Sequence, residues 1–201
     1  MWTNMKNVSK KIILGSGSPR RRELLGGLDI PFTIDTGNTF EESFPEGTPA
    51  AQIPVMMAEG KSHGFHRPLG PDEILITADT VVILHYPDRE PEVIGKPHSR
   101  EDAIAMLHKL SGREHEVITA VVIRDCEREK CFSVSSRVTF APLTDDEILY
   151  YIDKYKPFDK AGSYGIQEWI GYVGISGITG SFYNVMGFPV HRVYRELQCF
   201  L

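Results

Sequence analysis

The chain has 201 residues and an ordinary globular composition, with 41% hydrophobic and 24% charged residues. Its net charge of −5 and isoelectric point of about 5.8 argue against a protein that binds nucleic-acid polymers, since such proteins are usually basic. The longest apolar stretch, residues 74–84, contains Asp79 and is too short to cross a bilayer, so we expect no membrane association.

The three cysteines, Cys126, Cys131 and Cys199, form no CxxC pair. The first residues also lack the apolar core of a secretory leader. An odd number of unpaired cysteines without a leader is typical of reduced thiols, so we expect a cytoplasmic location.

Alternating apolar runs and helical patterns predict an α/β fold. In the first half they indicate strands at 11–14, 31–35 and 73–84 and helices at 20–28 and 50–64. The second half adds a short strand at 93–97, a helix from a capping box at Ser99 to Gly112, and strands at 115–125 and 131–143. A second capping box at Thr144 opens a helix that Pro157 stops, 162–172 reads mainly as loop, and a last helix starts near Pro189.

No linker divides the pattern, so we expect one domain over 1–201, with about ten residues of N-terminal extension. Any two lobes would share a sheet.

The segment Gly15-Ser16-Gly17-Ser18-Pro19-Arg20-Arg21-Arg22 places three cations where a helix should begin. Ser18 fits the N-cap and Pro19 the first helical position. The first turn of a helix already carries partial positive charge and prefers acids, so three arginines there make sense if an anion occupies the site. Backbone N–H groups, the Ser16 and Ser18 hydroxyls, and the guanidinium groups of Arg20 and Arg21 would then bind phosphate oxygens.

Asp79 lies inside the apolar run 74–83, where a carboxylate is costly unless it is paired, hydrogen-bonded or bound to metal. It is either a structural residue at a strand end or a functional group. Lys96 and Lys61 could neutralise phosphate, or they could be ordinary surface lysines.

Glu41 and Glu42 lie in a polar loop, which could be simply solvated or could supply a metal ligand. In the segment 159–167, Gly165 allows a close backbone approach and Gln167 could bind the edge of a base through its amide.

Other catalytic motifs are missing from the sequence. It has no HExxH spacing, no GxxxxGK[ST] loop and no GxSxG elbow, which disfavours zinc hydrolases, Walker-type NTPases and acyl transfer on Ser16 or Ser18.

Five ordered blocks together resemble the Maf family of nucleotide pyrophosphatases. They extend over most of the chain from Ile12 to Val190. The blocks are Ser16-Gly17-Ser18-Pro19-Arg20-Arg21, Ala78-Asp79-Thr80-Val81-Val82, Gly95-Lys96-Pro97, the region Leu110 to Val121, and Asp159-Lys160-Ala161-Gly162-Ser163-Tyr164-Gly165-Ile166-Gln167.

The resemblance implies an elongated mixed β-sheet flanked by helices, with two lobes around a cleft, similar to inosine triphosphate pyrophosphatase. It also implies hydrolysis of a nucleoside triphosphate to the monophosphate and pyrophosphate with a divalent cation, Mg²⁺ or Mn²⁺. The Tyr-Gly-Ile-Gln ending resembles the branch that acts on dTTP and UTP. A homodimer is a further expectation from the family.

By the same resemblance, Asp79 falls on the proton acceptor. Ser18, Arg20, Glu41, Lys61 and Lys96 fall on the polar set of the cleft, with Glu42 as the alternative to Glu41. Arg20, Thr80 and Gln167 fall on the positions associated with pyrimidine preference.

With these assignments the resemblance implies a mechanism in which Asp79 activates a water for attack on the α-phosphate. Lys96 and Lys61 stabilise the developing charge, and the serine/arginine turn holds the phosphates. Asp79 could instead be a metal ligand. Two other functions stay open: a nucleotide-binding regulator of cell division without turnover, and the clearance of modified nucleotides.

Overall fold

The computed structural model describes residues 10–201, which form seven strands and seven α-helices. In chain order these are β1 (Lys11–Leu14), α1 (Pro19–Gly26), β2 (Phe32–Ile34), α2 (Ile53–His63), β3 (Glu73–Leu84), β4 (Glu92–Ile94), α3 (Arg100–Leu110), β5 (Glu114–Arg124), β6 (Glu129–Phe140), α4 (Asp145–Tyr155), α5 (Trp169–Gly174), β7 (Ile175–Thr179), α6 (Phe182–Val185) and α7 (Val190–Leu197). Single 3-10 turns lie at Ala50–Gln52 and Ala161–Ser163.

All seven strands belong to one mixed sheet in the order β2-β1-β3-β5-β6-β7, with β4 paired to β3 off this path. β1 runs parallel to both β2 and β3, whereas β4 is antiparallel to β3 and β7 is antiparallel to β6. The predicted α/β class, a mixed sheet flanked by helices, is confirmed.

β3 has the bounds that its apolar pattern predicts, and almost all of it is buried. A strand covered on both faces favours a near-continuous apolar run. Asp79 and Thr80, at its centre, are only half-buried, so the polar pair interrupts the core in the middle of the strand.

Helix starts follow the local sequence closely. Ser18 is the N-cap of α1 with Pro19 in its first turn, and Thr144 and Glu147 form the predicted reciprocal capping box of α4. Ser99 caps α3 by accepting the Asp102 N–H, but Asp102 accepts the His98 N–H instead of the Ser99 N–H. The capping box expected there is therefore only half formed.

The prediction that 162–172 is mainly loop is wrong in its last third. α5 begins at Trp169, followed by β7 and α6, which the sequence pattern missed. β7 forms because it pairs with β6, for example Val138 with Ile178, and such long-range pairing leaves little local signal.

The chain divides into two compact units, and the first comprises residues 10–79, 119–134 and 187–201. Its core includes a cluster of Ile13, Phe65, Leu69 and Leu75. The Thr77 hydroxyl donates to the Ala58 carbonyl at 2.8 Å, which fixes α2 against β3.

The second unit comprises residues 80–118 and 135–186. The rings of His115, Phe140 and Tyr164 pack against one another in its core. Asn184 donates its amide to the Val117 carbonyl and the Ser136 hydroxyl, which fixes α6 against β5 and β6. Across residues 10–201, none of the helices is both long enough and apolar enough to span a membrane.

Candidate active site

The serine/arginine turn joins β1 to α1 and lines an open cavity of about 770 Å³ with Phe32 and Ile34 on its apolar side. The Ser18 hydroxyl accepts the Arg21 N–H, and the Ser16 hydroxyl accepts the Ser18 N–H at 3.3 Å. The first turn of α1 carries no acid, so the partial positive charge of the helix start stays available for an anion.

The Arg21 side chain fastens this turn to the rest of the first unit. Its Nη1 donates to the Ala78 carbonyl at 2.9 Å and to Ser16 Oγ at 3.2 Å, and its Nε donates to the Gly187 carbonyl at 2.9 Å. Burial lowers the pKa of Arg21, while the charge of Asp79 acts in the opposite direction. Arg21 therefore holds the turn next to the residue that precedes Asp79.

Two carboxylates converge on Lys61, which lies in the last turn of α2. Lys61 Nζ lies 2.7 Å from Asp79 Oδ1 and 3.0 Å from Glu42 Oε1. The Lys61 and Asp79 side chains are 19% and 16% exposed, whereas Glu42 is 61% exposed. We call Lys61, Asp79 and Glu42 the carboxylate–lysine cluster; one cation and two anions leave it with net negative charge.

We call the polar loop that carries Glu41 and Glu42 the acidic loop; it reaches Lys61 because it is bonded along the end of α2. Asn38 Nδ2 donates to the Lys61 carbonyl at 2.6 Å, and the Thr39 N–H donates to the Gly64 carbonyl at 2.8 Å. The Phe40 ring lies against Gly60, where an added Cβ would approach a ring carbon to 2.3 Å. Of the two adjacent acids, Glu42 is the one that this loop places on Lys61.

Sequence reasoning missed one pair near this loop. His66 Nε2 lies 3.0 Å from Asp35 Oδ2, and Asp35 also accepts the Gly37 N–H at 3.1 Å. These hydrogen bonds, first that of His66 and then that of Gly37, lower the pKa of Asp35. The pair fixes the start of the acidic loop, and an Asp directly after a strand was its only sequence signal.

In the second unit, Lys96 is exposed directly after β4. The preceding residue, Gly95, accepts the Gly162 N–H at 3.0 Å, so Lys96 sits beside the 161–163 turn. Thr80 follows Asp79 in β3 and is half-buried.

Gln167 lies just before α5, and its Oε1 is buried without a hydrogen-bond partner in the part of the chain that the structure describes. A buried amide oxygen without a donor costs free energy, so this atom is suited to accept a hydrogen bond from a ligand.

A family model described as Maf-like protein matches residues 11–200. The chain belongs to the Maf family. This Maf protein is 51% identical to the dTTP/UTP pyrophosphatase of Parabacteroides distasonis over 98% of its own length and 100% of the relative. It is 50% identical to the protein of the same name from Phocaeicola vulgatus, over 96% of its own length and 98% of the relative. A third relative of that name, from Porphyromonas gingivalis, is 48% identical over 100% of the Maf chain and 98% of the relative.

A solved structure of the Staphylococcus aureus Ham1 protein aligns with 94% of this Maf protein and 100% of its own chain, at 14% identity and a TM-score of 0.49. The α/β assignment rests on the seven-stranded mixed sheet of the chain.

The structure thus brings Asp79, Lys61 and Glu42 into contact. Arg21 donates both to Ser16 and to the carbonyl of the neighbouring Ala78. The catalytic, binding and specificity roles given to these residues, and to Ser18, Arg20, Glu41, Lys96, Thr80 and Gln167, stay predictions. Within residues 10–201, no group of three or more His, Cys, Asp or Glu side chains is arranged to hold a metal ion.

Proposed function

We propose that this Maf protein hydrolyses dTTP and UTP to the nucleoside monophosphate and pyrophosphate. The curated relatives that match nearly its whole length carry the name dTTP/UTP pyrophosphatase.

One observation carries the proposal: the serine/arginine turn is bonded to Ala78, and the next residue, Asp79, belongs to the carboxylate–lysine cluster. Arg21 joins the turn to the Ala78 carbonyl, and the next residue, Asp79, pairs with Lys61 at 2.7 Å. A triphosphate bound at the turn would therefore have a carboxylate and an ammonium group nearby.

In the proposed reaction, the Asp79 carboxylate takes a proton from a water molecule as its oxygen attacks the α-phosphorus. The bond from the α-phosphorus to the bridging oxygen breaks, and pyrophosphate leaves with the electron pair. Lys61 and Lys96 stabilise the negative charge that develops on the phosphate oxygens.

The donor set also suits a divalent cation. Asp79 and Glu42 approach the same ammonium group, and Mg²⁺ sites typically use one or two carboxylates together with substrate phosphates. Glu42 would hold Mg²⁺ or Mn²⁺, joined by Asp79 if that residue is a metal ligand instead of the base, and the cation would offset phosphate charge when bound.

For base preference, we propose that Gln167 binds the uracil or thymine edge. Its unpartnered Oε1 would accept the N3–H, and its amide N–H would donate to the C4 oxygen. Loss of such a pair should cost about 1–3 kcal/mol of discrimination. Gln167→Ala should therefore narrow the gap between UTP and CTP.

The test is pyrophosphate release from a panel of nucleoside triphosphates with Mg²⁺ or Mn²⁺. We expect release from dTTP and UTP that falls by at least about 100-fold in Asp79→Asn and is unchanged in Asp88→Asn, an exposed carboxylate.

Orthophosphate as the first product would contradict attack at the α-phosphorus. Full turnover by a folded Asp79→Asn variant would exclude Asp79 as the base. Tight nucleotide binding without turnover under any metal would instead favour a binding regulator, and turnover of modified nucleotides alone would favour their clearance.

A further inference from the structure

The backbone around Gln167 is held by a partly buried hydrogen-bond network in the second unit. The Gly165 N–H donates to Tyr151 Oη at 2.9 Å, and the same hydroxyl donates to the Glu168 carboxylate. Lys160 Nζ lies 3.1 Å from the other carboxylate oxygen of Glu168. We call Tyr151, Glu168 and Lys160 the clamp, because Tyr151 binds the backbone of Gly165, before Gln167, and the side chain of Glu168, the residue after it.

The side chains of the clamp have little conformational freedom. Tyr151 is fully buried and Lys160 is 8% exposed. Burial, followed by the bond to Glu168, raises the pKa of Tyr151 well above its usual range, so the hydroxyl keeps the proton that it donates. Burying a lysine is expensive unless it is well paired, and Lys160 is paired with the partly buried Glu168 and with Asp159.

Gly165 shows how tightly the segment is held. A Cβ at this position would lie 2.8 Å from Glu168 Cδ and 3.0 Å from Lys160 Cε, so the side chains of Glu168 and Lys160 would have to move. The Glu168 N–H in turn donates to the Gly165 carbonyl at 3.0 Å, which closes a turn around Ile166 and Gln167. The Gln167 side chain is therefore attached to a backbone that has one preferred position.

We propose that Tyr151 and Glu168 are positioning residues for base discrimination, which they set by fixing the turn that carries Gln167. This inference rests on the proposed function, in which Gln167 binds the pyrimidine edge. An amide held in place discriminates between bases because the wrong base cannot recruit a rearranged partner.

The test uses Tyr151→Phe, which removes one oxygen atom and leaves the ring in place. A matched control is Tyr155→Phe, since Tyr155 stacks on Tyr151 in the same helix and its hydroxyl makes no hydrogen bond within residues 10–201. The measurements are kcat and KM for UTP and CTP, with thermal unfolding to establish that each variant folds.

We expect Tyr151→Phe to lower the UTP-to-CTP ratio of kcat/KM by about tenfold, mainly by raising KM for UTP. Tyr155→Phe should leave the ratio unchanged. A purely structural role would instead lower activity on both nucleotides alike.

Glu168 gives a second, independent variant pair. Glu168→Ala should lower the same ratio, whereas Glu168→Gln keeps an oxygen that accepts from Tyr151 and should restore most of it. These two variants decide the question if Tyr151→Phe does not fold.

The outcomes separate the two proposals. An unchanged ratio in folded Tyr151→Phe and Glu168→Ala, with a reduced ratio in Gln167→Ala, overturns the clamp and leaves the proposed function intact. Absence of pyrophosphate release, or equal use of UTP and CTP by the unaltered protein, overturns the proposed base preference and the clamp with it.

Discussion

The carboxylate–lysine cluster and the clamp each place a lysine between acidic groups, but they differ in access to solvent. Lys61 is 19% exposed and one of its partners, Glu42, is 61% exposed on a loop. Lys160 is 8% exposed and Tyr151 is fully buried, although Lys160 also pairs with Asp159, which is 58% exposed, and Glu168 is 21% exposed. The difference therefore lies in the central groups: the Tyr151 hydroxyl that holds the backbone is closed to solvent, whereas the Lys61 ammonium group is partly open, as an exchange of partners with a substrate would require.

The largest effect that tests this difference should come from Lys61→Met. The change leaves Asp79 and Glu42 without their shared cation, and we expect kcat/KM for pyrophosphate release to fall about 10²–10³-fold. Lys130→Met, at an exposed position, serves as the control. Activity equal to that of the control would show that the cluster takes no part in catalysis.

The buried core of the second unit, which contains His115, can be tested through the pH dependence of the free energy of unfolding. Burial lowers the pKa of His115 from its ordinary 6.5 to about 4. Between these values the unfolded chain binds a proton that the folded chain does not, so the free energy of unfolding falls as the pH falls. The loss amounts to about 3 kcal/mol across the window.

Urea denaturation at pH 7 and pH 4.5 measures this loss. His115→Asn should show a smaller difference between the two pH values, whereas His191→Asn, at an exposed histidine, should match the unaltered protein. Parallel behaviour of all three proteins would contradict the assignment. His115 also bonds to Tyr164, at the start of the segment that the clamp holds, so acid should weaken that support.

A smaller effect on stability and activity is expected at the contact between Gly60 and Phe40, on which the carboxylate–lysine cluster depends. Gly60→Ala should destabilise the protein by about 1–3 kcal/mol, because the new methyl group meets the Phe40 ring. Pyrophosphate release should fall too, since Phe40 precedes the loop residue Glu42. Thermal unfolding and activity of Gly60→Ala, alone and combined with Phe40→Ala, measure both effects.

The double variant should recover stability if the clash is the cause. Gly26→Ala is the matched control, because an added Cβ there lies 3.9 Å from its nearest neighbour, a carbon of Phe32. Alanine favours a helix over glycine, so the control should lose no stability. A loss in the control equal to that of Gly60→Ala would show that the contact with Phe40 is not the cause.

The smallest effect concerns the helix that carries Tyr151. Lys156 ends α4 in the left-handed conformation, at a φ of 47°, which glycine adopts with less strain. Lys156→Gly should raise the free energy of unfolding by about 1 kcal/mol in urea denaturation. The UTP-to-CTP ratio should stay the same, and a changed ratio would mean that the clamp responds to helix stability as well as to its own hydrogen bonds.

Local sequence rules predicted the parts of the fold that depend on neighbours in the chain. The bounds of β1 and β3, the Ser18 cap and the Thr144 capping box all have signals within a few residues. β7 and α5 were missed because their support comes from pairing and packing with distant segments.

In the candidate site too, features with a local sequence signal were predicted and features that depend on distant contacts were not. Asp79 stood out as a carboxylate in an apolar strand, and the serine/arginine turn stood out by its charge. The contact of Glu42 with Lys61 could not be predicted, because it depends on Phe40 meeting Gly60 and on Asn38 reaching the end of α2. Such contacts join residues about twenty positions apart without any periodic pattern.

The bond from Arg21 to the Gly187 carbonyl has a consequence for how the protein is made. The first unit draws on residues 187–201, and α7 within them buries Val193 and Leu197. A ribosome delivers the chain from its N-terminus, so residues 80–118 and 135–186 are synthesised before Gly187. The turn beside Asp79 therefore gains its Gly187 carbonyl acceptor only after the whole second unit has been synthesised, so the candidate site is completed later than the unit that lies between its parts in the sequence.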